Sequence, residues 1–311
     1  MTIKTMPDSQ KTEKQKVKIP AELQSFVDIR QRPTIFICPK ESLNLGHVVK
    51  LRSELGNRKF DELDLVIQSG GGDIHAAYQI VELLRLHASK LNACVPFFAK
   101  SAATLLCIGA DVIFLDELAQ LGPLDTQIEE KGKGGKREFV SALNPFKALE
   151  QMQNFALETL DLSMKMIVER SGMDLEECFK HGMEFVKVTT GPLITQLNPE
   201  KLGAYSRALS IGEEYGKRLL RRFSPWDEDK RNKVIMTLVH GYPSHDYIID
   251  YHELQDLGFQ VELFKEEERN AVQGLFEYLL KEKTVIRLID YLSPEKENPI
   301  NIDKSLGGNI L

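Results

Sequence analysis

Leu65-Val66-Ile67-Gln68-Ser69-Gly70-Gly71-Gly72-Asp73 is the stretch that decides how this chain is read. An apolar run with β-branched residues reads as a strand buried on both faces. Three successive glycines then open a turn, and Asp73 caps a helix. Pro96-Phe97-Phe98-Ala99-Lys100-Ser101-Ala102-Ala103-Thr104 repeats the pattern further on: strand, small residues, helix. Together the two segments set a glycine-rich turn with exposed N–H groups beside a serine at a helix start. Acyl transfer needs that pairing of a nucleophile with preorganised donors for an oxyanion.

Working outward, Pro33–Cys38 reads as a first strand, Leu43–Leu55 as a helix ended by Gly56, and Leu63–Gln68 as the second strand. Ala76, Ile80, Leu83, Leu84 and Leu86 follow helical spacing and predict a helix from Asp73 to Ser89. Ala93–Ala99 reads as a third strand, Ser101–Gly109 as a short apolar helix and Val112–Leu115 as a fourth strand. The β-α-β alternation predicts an α/β fold with a largely parallel sheet. Glu129–Arg137, rich in glycine and charge, reads as a mobile loop. Asn144-Pro145 starts a long helix reaching Arg170, with Gly172 past its end. Helical pattern continues over 175–223 with breaks at Gly191-Pro192 and Asn198-Pro199. Another helix follows Pro225-Trp226-Asp227, and a short one over Tyr251–Leu257 ends at Gly258. Val272–Leu292 reads as one or two C-terminal helices. The expected organisation is a disordered arm over 1–20, one domain over 21–265, and a helical extension with a polar tail over 266–311.

Composition bounds the function. An apolar share of 42% and a charged share of 28% are those of a globular chain, and a net charge of −6 argues against nucleic acid as the main partner. No apolar run is long enough to span a bilayer and the first eighteen residues lack the apolar centre of a secretory signal, so stable membrane insertion is not expected and the expected compartment is the cytoplasm. Cys38, Cys94, Cys107 and Cys178 lack metal-ligand spacing and read as buried thiols. His240, His245 and His252 are five and seven residues apart, which puts no pair on one helical face, so no metal is expected. The triglycine stretch matches neither of the glycine-rich nucleotide-binding patterns, so no cofactor is expected.

Ile67-Gln68-Ser69-Gly70-Gly71-Gly72, then Ala99-Lys100-Ser101-Ala102-Ala103-Thr104-Leu105, then Gly109-Ala110-Asp111, then Leu121-Gly122-Pro123-Leu124-Asp125-Thr126-Gln127 resembles the Clp/crotonase superfamily. Within it the chain is similar to the signal peptide peptidase A and NfeD-type serine proteases and to the serine dehydrogenase proteinase family. The resemblance covers residues 33–175 well and 199–260 more weakly. It implies a Clp/crotonase-like core with repeated β-β-α and βαβ units and a helical C-terminal region, assembled as a homo-oligomer. It implies a serine peptidase acting on peptide or protein substrates. Ser101 is then the nucleophile, the N–H groups of Gly71 and Ala102 the oxyanion donors, and Gly70, Gly72 and Asp73 the edge that holds an extended substrate. Gly70 stands where the family often carries proline.

The general base that the resemblance implies is Lys147, three residues after Asn144 at the start of the long helix. A lysine serves as base only if its pKa falls toward neutrality. Aligning Ser141-Ala142 instead with the Ser-Ala that follows the lysine in signal peptide peptidase A puts Val140 at that position and leaves no dyad. His75, His181, His240 and His245 are the histidine alternatives. Asp125 reads as a residue that fixes a turn near the nucleophile. Two further readings stay open: a binding or scaffold module of the same fold that has lost catalysis, and acyl-CoA chemistry of the crotonase type.

Overall fold

The computed structural model describes residues 19–131, 137–282 and 284–291; the N-terminal arm and the C-terminal tail expected from the sequence lie outside these, apart from their inner ends. The elements run α1 (Ala21–Arg30), β1 (Thr34–Cys38), α2 (Leu45–Leu55), β2 (Phe60–Ile67), α3 (Ile74–His87), β3 (Ala88–Val95), β4 (Phe98–Ala99), α4 (Ala102–Ile108), β5 (Val112–Leu115), β6 (Gln120–Leu121), β7 (Gln127–Lys131) and β8 (Arg137–Ser141). Then come α5 (Asn144–Ser171), α6 (Leu175–Ile194), α7 (Pro199–Phe223), α8 (Glu228–Met236), a π-turn at Thr237–Gly241, α9 (Tyr251–Leu257), β9 (Val261–Leu263), α10 (Glu266–Lys281) and β10 (Val285–Ile289).

Six strands form the central sheet in the order β10-β1-β2-β3-β5-β9. All neighbours pair in parallel except β10, which runs antiparallel to β1. The α/β expectation therefore holds, and the two-faced burial explains the continuous apolar strands. Ile35, Ile37, Leu65, Ile67, Ala93 and Val95 pack on the face that carries α2, α3 and α4. Phe36, Cys38, Val66 and Cys94 alternate onto the other face, beneath Leu23, Phe26 and Val27 of α1 and Val272, Leu275 and Leu279 of α10. On that second face Arg30 is buried, donating from Nε to Asp64 at 2.6 Å and from Nη1 to Glu268 at 2.7 Å. Its guanidinium lies 4.1 Å from the ring centroid of Phe114. One cation thus ties α1, α10 and two strands together, in the form in which buried charge is tolerated.

Several boundaries differ from the sequence reading. The third strand starts at Ala88, directly at the end of α3, and stops at Val95. Pro96 lacks the N–H to continue the ladder, so Phe98-Ala99 leaves the main sheet and pairs with β6. Ser89 and Lys90, exposed at the strand's start, hid it from an apolar-run criterion. The expected loop 129–137 is instead strand at both ends, since β7 and β8 pair from Gln127↔Ser141 to Lys131↔Arg137. Helix α6 runs through Pro192, which falls in its last turn. The segment expected as helix to residue 292 splits: α10 packs on α1, and Val285–Ile289 is the edge strand of the sheet. Its alternation sends Ile286 and Leu288 to one face and Ile289 to the other. Residues 266–282 and 284–289 thus pack on and extend the central sheet, α10 against α1 and β10 against β1.

Helices α5 and α6 pack on each other as a hairpin, with Gly182 set against Leu160 and Met164. No residue of α5 is buried. Phe155, Leu162 and Met166 of α5 are exposed, as are Phe179, Met183 and Phe185 of α6.

Cys38, Cys94 and Cys107 are buried in the sheet and in α4. Burial pushes the Cys38 thiol up to about 12 and raises the other two as well. Because the thiolate is the reactive form, these three thiols are expected to resist DTNB at pH 8 in the native protein and to react on addition of guanidinium. Fast native reaction of any of the three, mapped by mass spectrometry, contradicts the packing.

Candidate functional site

Strand β2 ends at Ile67, and Ser69 then pairs in parallel with Ala99. The Ser69 N–H donates to the Phe98 carbonyl at 3.2 Å, and the Lys100 N–H to the Ser69 carbonyl at 2.9 Å. These bonds draw the glycine turn alongside the segment that leads into Ser101. On its other side the turn is held by Leu43, whose N–H donates to the Gly71 carbonyl and whose carbonyl accepts from Asp73, both at 2.8 Å.

The turn has glycines where only glycine fits. Gly71 has φ +101° and Gly72 +141°. A Cβ on Gly71 would sit 2.8 Å from the Ser101 Cβ and from the Lys100 carbonyl; one on Gly72 would sit 2.3 Å from the Leu43 nitrogen. Gly70 has open space around its Cβ direction, consistent with a position where a side chain is admitted.

Ser101 occupies a backbone well rare for a side-chain-bearing residue, φ +53° and ψ −127°. Such strain costs about 1–3 kcal/mol and persists where the surroundings impose it. Ser101 stands at the N-cap of α4, yet its side chain makes no capping hydrogen bond. The simplest structural use of the hydroxyl is thus not taken up. The following residue, Ala102, is the first of the helix, where an N–H has no intrahelical acceptor.

Ser101, Ala102, Gly70, Gly71, Gly72 and Asp73 line one cavity of about 430 Å³, closed by Ser42, Ile74, Leu124, Thr126 and Gln127. Asp73 uses its carboxylate to cap α3, accepting from the His75 N–H at 2.8 Å. The Gly71 N–H donates to Ser69 Oγ at 3.1 Å. Next to the serine, burial pushes the Lys100 ammonium below its ordinary pKa; its Nζ lies 3.4 Å from the Asp246 carbonyl and its stem packs over Gly122.

Lys147 is not brought to this cavity. Its side chain is 45% exposed in the first turn of α5, with Nζ 3.4 Å from Glu150. Val140, its alternative, pairs with Ile128 in the β7–β8 hairpin. Among the histidines, His75 Nδ1 lies 2.8 Å from the Tyr215 hydroxyl, His240 Nε2 lies 2.8 Å from Glu213, and His181 sits exposed on α6 near Glu184. His245 Nδ1 lies 2.8 Å from Asp125, which stands between the cavity residues Leu124 and Thr126. That pairing spans 120 residues and carries no sequence spacing by which to find it. Ser42 and Ile74, too, reach the cavity only through the fold; their sole sequence signal is adjacency to Leu43 and Asp73.

Residues 51–184 match the family model of the ClpP-like SDH-type serine proteinases. The chain has a Clp-like serine-protease fold. Two uncharacterized proteins of Methanocaldococcus jannaschii are similar to it. One is 35% identical over 124 residues, covering 35% of this chain and 43% of the relative; the other is 25% identical over 200 residues, covering 64% and 51%. The chain thus spans about half the length of these relatives or less. A solved structure of a ClpP1 mutant from Listeria monocytogenes is 15% identical, covers 49% of this chain and 79% of that one, and has a TM-score of 0.25. The family match runs from α2 to α6 and so contains the triglycine turn, Ser101, Asp125 and Lys147.

The Clp-like elbow makes opposite demands on neighbouring glycines. Gly70→Ala is expected to leave the melting temperature within about a degree. Gly71→Ala and Gly72→Ala, strained and clashing with backbone, are each expected to cost about 2 kcal/mol or more and lower it by several degrees. Calorimetry on the three variants checks this, and a Gly72→Ala protein as stable as the parent contradicts the close approach to Leu43.

Proposed function

We propose that the chain is a serine peptidase in which Ser101 forms an acyl-enzyme with a peptide carbonyl. The observation that carries the reading is the Ser101 elbow: a strained serine whose hydroxyl does not cap its helix, lining one cavity with the triglycine turn. The hydroxyl oxygen attacks the carbonyl carbon and its proton passes to a base. The Ala102 N–H and the Gly71 N–H take the developing negative charge. Gly71 donates to a neutral hydroxyl in the resting state, and an oxyanion is the stronger acceptor for the same N–H. Protonation of the amine expels it, and water then hydrolyses the ester by the reverse proton path.

The substrate chain binds as an extended strand. Leu43 occupies the edge formed by the Gly71 carbonyl and the Asp73 N–H. In strand geometry the Gly72 N–H and carbonyl face the opposite way, toward the edge where a peptide adds. Lys147 is the proposed base, on its place at the root of α5 within the family match; to act, its flexible stem must leave Glu150 and turn to Ser101. The exposed apolar residues of the α5–α6 hairpin support assembly of the enzyme as a homo-oligomer.

The position of Lys147 also favours a second reading, an inactive binding module that keeps the fold. One experiment separates the two. The wild-type chain is expected to be labelled by a fluorophosphonate and to cleave casein; Ser101→Ala is expected to do neither. Equal labelling of both proteins rules out Ser101, and absence of labelling and cleavage in the wild type favours the binding module. Lys147→Ala is expected to lower casein turnover by about a hundredfold or more, the usual scale for loss of a general base; unchanged turnover removes it from the mechanism.

A further inference from the structure

The wall of the cavity across from the glycine turn is rooted at Leu121-Gly122, where the Gly122 N–H donates to the Ala99 carbonyl at 3.2 Å and the Gly122 carbonyl accepts from Thr104 Oγ1 at 2.7 Å; beyond that root, Pro123–Gln127 is held by bonds to remote segments. The Leu124 N–H donates to the Leu238 carbonyl at 2.8 Å, the Ala142 N–H to the Thr126 carbonyl at 2.8 Å, and Thr126 Oγ1 to the Ala208 carbonyl at 3.1 Å. Leu121 and Ile249 exchange N–H···O bonds at 2.9 and 3.1 Å.

Between Leu124 and Thr126, both lining the cavity, the Asp125 carboxylate is buried. Its Oδ1 lies 2.8 Å from His245 Nδ1, and its Oδ2 accepts from the Ser141 hydroxyl. Ser141 Oγ in turn accepts from the Leu143 N–H at 3.1 Å, at the start of α5. An ionised carboxylate only accepts, so Nδ1 carries the proton in this pair. The residue after His245 closes a second link: the Asp246 carbonyl lies 3.4 Å from Nζ of Lys100, the residue preceding Ser101. The short strap at 245–246 thus bridges the cavity wall and the side chain of Lys100, next to the serine.

We propose that Asp125 and His245 are positioning residues that set the distance between this wall and the Ser101 elbow, and so govern how tightly a peptide chain is gripped. The inference rests on the peptidase reading. The charge is what distinguishes this clamp from the backbone bonds around it. A buried carboxylate deprived of its imidazole partner is left under-satisfied, so the strap and the wall part together. Ser101 and its amides are held by the Ser69–Ala99 ladder, which does not pass through the clamp, and keep their geometry when it opens.

The test uses the full chain and compares wild type, His245→Ala and His245→Asn, whose side-chain amide donates from near the Nδ1 position. Three quantities are read: KM and kcat on fluorescein-labelled casein, the rate of fluorophosphonate labelling of Ser101, and amide hydrogen exchange over 121–127 and 242–250. His245→Ala is expected to raise KM about tenfold, the scale of one lost buried hydrogen bond. It is expected to keep labelling within about twofold of wild type and to exchange faster in both segments. His245→Asn is expected to recover most of the KM. Unchanged KM and exchange in His245→Ala overturn the proposal. Labelling that falls as far as casein turnover overturns it as well, because His245 then acts on the nucleophile. A wild-type protein that neither labels nor cleaves brings down the peptidase reading and with it the gripping role, and the exchange comparison still decides whether the clamp exists.

Discussion

The approach of the Gly71 backbone to the Lys100–Ser101 peptide is the contact on which the remaining features of the site depend. A side chain at position 71 would meet the Ser101 Cβ and the Lys100 carbonyl at 2.8 Å. On the other side of the same segment, a Cβ at Gly122 would meet the Lys100 stem, also at 2.8 Å. The strained serine turn is thus enclosed by two glycines brought to it across space, not by glycines next to it in the chain. This is how a non-glycine residue holds φ +53°: both flanks are cleared of side chains while parallel pairing of Ser69 with Ala99 holds the register. The strain of about 1–3 kcal/mol is offset by that ladder and by the burial of α4, every residue of which is inside.

The central sheet makes such a close approach possible because it is stiff. Its strands alternate between two apolar layers, so a shift of one residue would exchange the faces and place Asp64 among aliphatic side chains. The Arg30–Asp64–Glu268 cluster adds a requirement on register, since three charged groups from α1, β2 and α10 must meet on the second face. The antiparallel strand β10 completes the edge beside β1. The half of the cavity that carries Ser101 and the glycine turn is therefore built on rigid elements. The half that contains Leu124 and Thr126 is held by side chains and single bonds.

Much of this was legible in the chain itself. The apolar runs ending in glycine identified β2 and its turn, and Asp73, Pro145, Asn198 and Gly258 marked helix ends through local capping chemistry. Local signals failed where the deciding contact was remote. Ser89-Lys90 is polar and exposed, and is strand because β2 lies beside it. Val285–Ile289 carries a pattern compatible with helix until β1 offers an edge. Glu129–Lys131 carries loop-like charge and is strand because Arg137–Phe139 pairs with it.

By itself the sequence determined which residues have the right chemistry: a serine ahead of a small apolar helix, three glycines free to take positive φ, an acid in Gly-Pro-Leu-Asp, and a lysine in the first turn of a long helix. Those are properties of single residues and of their immediate neighbours. The tertiary structure alone decided which of them meet. It set Ser101 beside the glycine turn, paired Asp125 with a histidine 120 residues away, and left Lys147 facing Glu150 and solvent. The physical reason is that such encounters depend on the path of the whole chain through two packed layers, and no short-range spacing encodes that path.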